Sequence, residues 1–565
     1  MKLPNVWGED ALFAYSGMEG RTDWKHPFVA TGLSSPGSFV FHVQPERELI
    51  LSAAKIKMSG EEIVVSDLVL LDRNLFGLIF LNKDTLIGFS PGVPEVRCRG
   101  KVIRQEKQNS LVHSTAGGHT ALVWKRTASG IKFAFSFNAD SPVRARRKAE
   151  KGLAADIEVE KAKKIDFFRR LPRPAFSSEL QERVYYKACS VLKVNTHSRQ
   201  GKIHYAWTTP DRYPHKDMWL WDSAFHSLGI QYVSRSLAED SIKAVLQFQA
   251  RDGFIAHQMN PEMGRASRIT QPPVLAWTSY ELYRRTGNKD FLRYVYPRVK
   301  KFIAWLYRNR DDDRSGLLEW KLSEEPICRC GESGMDNSPR FDGRCEHMKA
   351  VDFNCFAVSE MEFLEKMAQE LGLVGDASCW QRERVGKAAL INRSLWDDRS
   401  GFYFDRQADG AFKKVKTVAS FLPLFAGIAD KRQAASLIDH LKNPKEFWTG
   451  FPVPSVSRDE SVFCRDMWRG PTWVNYNFLV IEGLKRYGYG KLAGAIAGKT
   501  IKEIGRWYRK TGVISEFYDS EAKLAPGQLQ RKEWLGHKRS WSSMKDYHWS
   551  AALYVAMVQN KAGYL

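Results

Sequence analysis

The chain of 565 residues is 43% hydrophobic and 27% charged, which excludes a fibrous or wholly disordered polymer. Its 86 Lys and Arg against 64 Asp and Glu give a formal charge of +22. That excess is spread along the sequence, is densest at 144–174, and is accompanied by no zinc-finger spacing, RNA-recognition signature or P-loop, so no nucleic-acid partner is expected.

The N-terminal stretch MKLPNVWGEDALFAYSG carries Glu9 and Asp10 and no apolar run, unlike a secretory leader. No segment approaches the roughly 18 apolar residues of a membrane-spanning helix, so no membrane partner is expected. Eight cysteines without a disulfide-framework spacing suit a reducing compartment, and a cytoplasmic location is expected. Cys328, Cys330 and Cys345 lie close in sequence but lack the paired C-x2-C spacing of a zinc site, so no metal is expected.

Up to about residue 145 short apolar runs alternate with turn signals: FVFHV (39–43), EEIVVSDLVLLD (61–72), GLIFLN (77–82), TALVWKR (120–126) and IKFAFSF (131–137). Such strands each bury one face, and an antiparallel β-sandwich over 1–145 is the natural packing. Residues 146–176 read as a basic, solvated linker. From 177 to 565 the apolar period becomes helical, as in Val351, Cys355, Val358, Met361, Leu364, Met367 and Leu371, with Gly372 as a stop. Twelve helices are expected, near 178–195, 222–231, 235–250, 273–286, 289–309, 350–370, 378–395, 416–427, 430–441, 473–486, 491–509 and 547–559. Paired as six hairpins in a ring, they make an all-α (α/α)6 barrel. An open solenoid is the alternative, but no sequence repeat of 20–50 residues is present.

The long loops 204–223, 251–273, 320–344, 446–473 and 511–548 concentrate Trp, Tyr, Asp, Arg, His, Gly and Pro. Long loops of this composition are more often functional than connecting. Aromatic rings stack on sugar faces while carboxylates and Arg bond hydroxyls. Trp219 and Trp221 with Asp222 supply such groups, although two core aromatics and a helix cap fit the same residues. Glycoside hydrolysis needs one protonated carboxyl and a second to activate water or attack. Glu332, Asp336 and Asp342 in one loop, and Glu516 in another, are candidates that composition alone does not rank.

ESGMDNSPRFD (332–342) resembles the catalytic-acid loop of glycoside hydrolase family 63. That family includes processing α-glucosidases, bacterial α-glycosidases and the mannosylglycerate and glucosylglycerate hydrolases. WLWDSAFHSLG (219–229), DGFIAH (252–257), TQPPVLAW (270–277), VDFN (351–354), WRGPTW (468–473), SEFYD (515–519) and HWSAA (548–552) resemble its other motifs in order. The resemblance implies an (α/α)6 catalytic domain, an inverting reaction with no cofactor, Asp336 as general acid and Glu516 as general base. It places Trp219, Trp221, Asp222, His257, Gln271, Gly334, Arg469 and Trp473 around the sugar. A structural role remains open for His257 and Trp549. The expected substrate is a small carbohydrate: an α-glucosyl or α-mannosyl disaccharide, oligosaccharide or small glycoside. The rivals are a trehalase-like glycosidase and a non-catalytic carbohydrate-binding protein, and the oligomeric state is left open. Two features depart from the family pattern: CRCG before Glu332, and the basic, aromatic stretch 521–547, which reads as a lid or a partner surface. Lys538, Arg539 or Arg265 are candidates for an anionic aglycone.

Overall fold

The computed structural model describes residues 1–4, 11–25, 28–31, 38–44, 47–53, 56–57, 62–98, 101–103, 109–115, 117–324, 328–533 and 542–560. The chain divides into two compact units. One is Met1–Lys216 with Gly505–Ile514 and Lys545–Ala551; the other is Asp217–Ile504 with Ser515–Met544 and Ala552–Leu565.

Up to residue 138 the first unit carries thirteen described strands: β1 (Leu12–Ala14), β2 (Val29–Thr31), β3 (Ser38–Gln44), β4 (Arg47–Ser52), β5 (Ile63–Val65), β6 (Leu68–Leu71), β7 (Phe76–Asn82), β8 (Thr85–Ser90), β9 (Glu95–Cys98), β10 (Lys101–Val102), β11 (Ser110–Thr115), β12 (Gly118–Thr127) and β13 (Gly130–Asn138). They form two antiparallel sheets, ordered β1-β2-β3-β4-β9-β10 and β11-β12-β13-β8-β7-β6-β5. Phe28, Phe39, Phe41 and Leu51 of one sheet region meet Leu78, Leu122, Phe133, Phe135 and Phe137 of the other in a single buried cluster. Alternation along β13 sends its Phe residues to that core and leaves the small Ala134 and Ser136 on the other face. There α1 (Pro142–Leu153) lies down, started by Ser141 as N-cap and Pro142. Ser136 donates its hydroxyl to the Ala145 carbonyl at 2.6 Å, and a Cβ on Gly152 would stand 2.9 Å from Thr85 Cγ2.

The linker expected at 146–176 is thus mostly helix, namely α1 and α2 (Ile157–Arg169). These are followed by α3 (Glu179–Val194), which belongs to the same unit. Ion pairs tie them to the strands: Lys164 and Lys193 both reach the buried Asp67, at 2.7 and 3.1 Å.

The second unit is helical: α4 (Leu220–Ile230), α5 (Arg235–Leu246), α6 (Leu275–Thr286), α7 (Lys289–Asn309), α8 (Val351–Glu370), α9 (Val374–Leu395), α10 (Leu422–Ala426), α11 (Lys431–Lys442) and α12 (Val474–Arg486), with α13 (Gly490–Thr511) and α14 (His548–Gln559) divided between the units. Fourteen α-helices are present among the described residues, the twelve expected plus α1 and α2. Alternate helices are neighbours in series: α4 with α6, α6 with α8, α8 with α10 and α10 with α12. Gly229 of α4 faces Ala552 of α14 so closely that a Cβ would lie 2.4 Å from its Cα. The start of α6 is fixed by α8, whose buried Glu360 accepts the amides of Ala276 and Trp277 at 2.7 and 3.0 Å.

The C-terminal ends of α4, α6, α12 and α14 surround a cavity of about 440 Å³, lined by Gln231, Arg284, Arg285, Glu482, Lys485 and Asn560 among others. Its roof includes Trp277 and Phe478. Above them an aromatic column runs from Trp277 through Phe225 to Trp221, with ring centroids 6.2 and 5.7 Å apart. No described helix is long and apolar enough to cross a membrane.

Candidate active site

The residues singled out in the loops gather at the N-terminal ends of α4, α6, α8 and α12, all within the second unit and on the far side of the aromatic column from the cavity. Two short 3-10 turns, Gly331–Ser333 and Pro339–Phe341, shape the 331–342 loop. Gly334 between them has φ +72, and a Cβ there would stand 2.3 Å from the Trp221 ring. The backbone conformation and the close approach both require glycine.

The carboxyls of this loop are held differently. Glu332 is fully buried and accepts Arg310 Nε and Nη2 at 2.9 and 2.7 Å, together with the amides of Thr270 and Lys321. Asp342 accepts a two-pronged pair from Arg469, at 3.0 and 2.8 Å. Buried Arg340 is clamped by Asp352 and Asp405 through four bonds of 2.7–2.8 Å. Asp336 takes part in no such arginine fork. Its Oδ2 lies 2.5 Å from Lys532 Nζ, with 21% of its side chain exposed, and its other close neighbour is the Cys328 thiol.

Glu516 stands on an extended segment. Phe517 and Tyr518 pair with Trp473 and Thr472, and the Glu516 amide donates to the Met544 carbonyl at 2.8 Å. The carboxylate is 1% exposed and accepts Arg531 Nε and Nη2 at 3.2 and 3.3 Å and the Met544 amide at 3.2 Å. Consecutive residues of one segment, Arg531 and Lys532, therefore carry cations to Glu516 and Asp336 respectively. Sequence reading missed both. Their signal was present only as basic character within 521–547.

Burial pushes the Asp336 carboxyl up, but the Lys532 ammonium and Arg531 more than offset it and leave the group below its ordinary value. Burial and Asp336 together push the Cys328 thiol up to about 12, so it stays protonated. Burial lowers His257 to about 4 despite Asp336 nearby, so its ring is neutral; its Nδ1 meets Ser267 Oγ.

The expected sugar-contacting residues fall into two groups. Trp219 is half-buried at the start of α4, with Gln258 opposite it in a short strand pair. Trp221 and Asp222 are buried in the first turn of α4, and the Gln271 side-chain oxygen accepts the Trp221 amide at 3.2 Å. These residues, with His257 and Gly334, lie on the Asp336 side. Arg469 and Trp473 are buried and act as braces. Arg469 holds Asp342 and the Asn337 carbonyl, while Trp473 stacks on Trp468 at 3.8 Å and donates to the Met467 carbonyl. Asp466, which the motifs did not single out, is the hub between loops. It accepts Asn337 Nδ2 at 3.0 Å and the amides of Lys532 and Glu533, each at 2.6 Å. Arg265 is exposed on a short strand, and Lys538 and Arg539 lie outside the described residues.

A family model, the mannosylglycerate hydrolase MGH1-like glycoside hydrolase domain, matches residues 213–550. The chain belongs to glycoside hydrolase family 63. As a member it is an enzyme that hydrolyses glycosidic bonds. The family 63 hydrolase is 26% identical over 442 residues to mannosylglycerate hydrolase of Thermus thermophilus, covering 64% of this chain and 100% of that protein. The crystal structure of a family 63 mannosylglycerate hydrolase from Thermus thermophilus in complex with glucose has a TM-score of 0.54 and 28% identity, covering 66% of this chain and 99% of that one. A bacterial glucoamylase complexed with acarbose is similar over 100% of this chain and 96% of its own, with a TM-score of 0.57 and 12% identity. That likeness is one of fold.

Proposed function

We propose that this enzyme removes a terminal α-glucosyl or α-mannosyl residue from a disaccharide, oligosaccharide or small glycoside with inversion, on a ring of six helical hairpins. The serial neighbours α4, α6, α8, α10 and α12, and the cavity lined by α4, α6, α12 and α14, support the (α/α)6 reading. The observation that carries the mechanism is the pairing of Asp336 and Glu516 with adjacent residues of one segment, Lys532 and Arg531. Asp336 protonates the glycosidic oxygen as the bond breaks. Glu516 draws a proton from a water on the opposite face of the sugar, and the hydroxyl adds to the anomeric carbon. Neutral His257 and the half-buried Trp219 hold the sugar in this reading.

Asp336→Asn and Glu516→Gln are each expected to lose about a hundredfold to ten-thousandfold in turnover with folding retained. Anomer-resolved NMR of the product is expected to show the inverted sugar first. Wild-type turnover in either variant, or the retained anomer as first product, would overturn the assignment.

An anionic aglycone is the favoured substrate subclass. Two cations, Arg531 and Lys532, face the carboxylate pair, and several of the relatives matched, though not the trehalases among them, are named mannosylglycerate hydrolases. A panel of α-linked disaccharides and glycosylglycerates tests it. Higher kcat/KM for neutral disaccharides than for every glycerate glycoside would remove it.

A further inference from the structure

The ion pair on Asp336 is at odds with the task assigned to Asp336. A general acid has to carry a proton, and a carboxyl paired with an ammonium at 2.5 Å does not. Among the described residues, the charged and titratable groups facing Asp336 come from three elements: Lys532 and Arg531 from the 529–533 segment, Cys328 from the approach to the acid loop, and His257 from the 251–273 loop. The thiol stays protonated and the imidazole neutral, so neither neutralises the carboxylate by charge. Arg531 is engaged with Glu516.

The backbone under Lys532 is fixed. It sits at φ +65, its amide and that of Glu533 are bonded to Asp466, and the same carboxylate holds Asn337, next to Asp336. Acid loop and segment are thus tied to one buried anchor. The soft part is the Lys532 side chain, a flexible four-carbon stem with a compact charge that turns easily to another acceptor.

We propose that Lys532 is a positioning residue that gates the acid: in the empty site its ammonium holds Asp336 as a carboxylate, and it turns to an oxygen of the entering substrate so that Asp336 takes up its proton only in the substrate complex. The inference rests on the assignment of Asp336 as acid. One proton from solvent joins Asp336 as the ammonium leaves, and it passes to the departing oxygen. Glu516 takes one proton from water, and its return through solvent restores the starting state.

The test uses full-length wild type, Lys532→Met and Lys532→Arg on any α-glycoside the wild type hydrolyses. The basic limb of kcat/KM reports the acid in the free enzyme and that of kcat reports it in the complex. In the wild type the kcat/KM limb is expected to lie about one to three pH units below the kcat limb, the size of shift a close opposite charge causes. In Lys532→Met the kcat/KM limb moves up to meet the kcat limb, and Lys532→Arg keeps it low. Coincident limbs in the wild type, or a Lys532→Met limb within about 0.3 unit of wild type, overturns the proposal. The wild-type comparison decides even where a variant fails to fold. Absence of any glycosidase activity in the wild type defeats the functional reading instead, whereas activity with unmoved limbs defeats the gate alone.

Discussion

The segments that carry the proposed acid and the proposed base, Asp336 and Glu516, are held by different physics. The 331–342 loop has little regular backbone pairing and is fixed from several sides by charge: Glu332 by Arg310, Arg340 by Asp352 and Asp405, and Asp342 by Arg469. The Glu516 segment is held by backbone. It pairs with 472–473 and with Met544, and Ser543 exchanges two bonds with Phe517. A loop set by buried charges is brittle, because removing one partner strands another in a medium that solvates it poorly. A segment set by a ladder distributes its support over many weaker bonds.

That contrast breaks most directly at Arg340. Arg340→Met leaves Asp352 and Asp405 facing each other inside the protein, and a loss of about 3–5 kcal/mol is expected in urea unfolding. Gly334→Ala comes next. It forces a side chain onto the Trp221 ring in a left-handed backbone, for about 2–4 kcal/mol together with a displaced Asp336 and reduced kcat. On the base side Ser543→Ala removes two hydrogen bonds to Phe517 and is expected to cost only about 1–2 kcal/mol. If it destabilises as much as Arg340→Met, the contrast is wrong. The smallest effect is one of pH. Asp336 lies below its ordinary value when folded, so its pair with Lys532 stabilises the fold above the unfolded value near about pH 4 and is lost as pH falls through the folded value. Lys532→Met should therefore show a shallower acid-side fall in melting temperature than wild type.

Much of the helical framework was legible because its apolar periods are strong: the expected 289–309 is α7 to the residue, and 350–370 differs from α8 by one. The helices α1 and α2 were read as linker for a physical reason. The buried residues of α1 are Ala145, Ala149 and Gly152, which pack closely on a sheet but contribute little hydrophobic signal among so many Lys and Arg. The strand β8, TLIGFS, was missed between two turns. The motif loops bring Asp336 and Glu516 to the candidate site, and Trp221, Arg469 and Trp473, expected around the sugar, are buried there, as an aromatic at a helix start packs as readily as it stacks on a ligand. Arg531, Lys532 and Asp466 were out of reach. Lys532 and Asp336 are far apart in sequence, and only the folded chain selects that lysine from 86 basic residues.

The aromatic column between the acid loop and the cavity below it has a consequence for traffic. On the proposed ring of helices, Trp221, Phe225 and Trp277 stand as a floor beneath the acid loop, so a substrate that enters by the rim would leave by it. Such a site admits the end of a chain and not its middle. On the proposed reaction a freed sugar next to that floor would depart after the aglycone, which would make the order of product release a property of the floor.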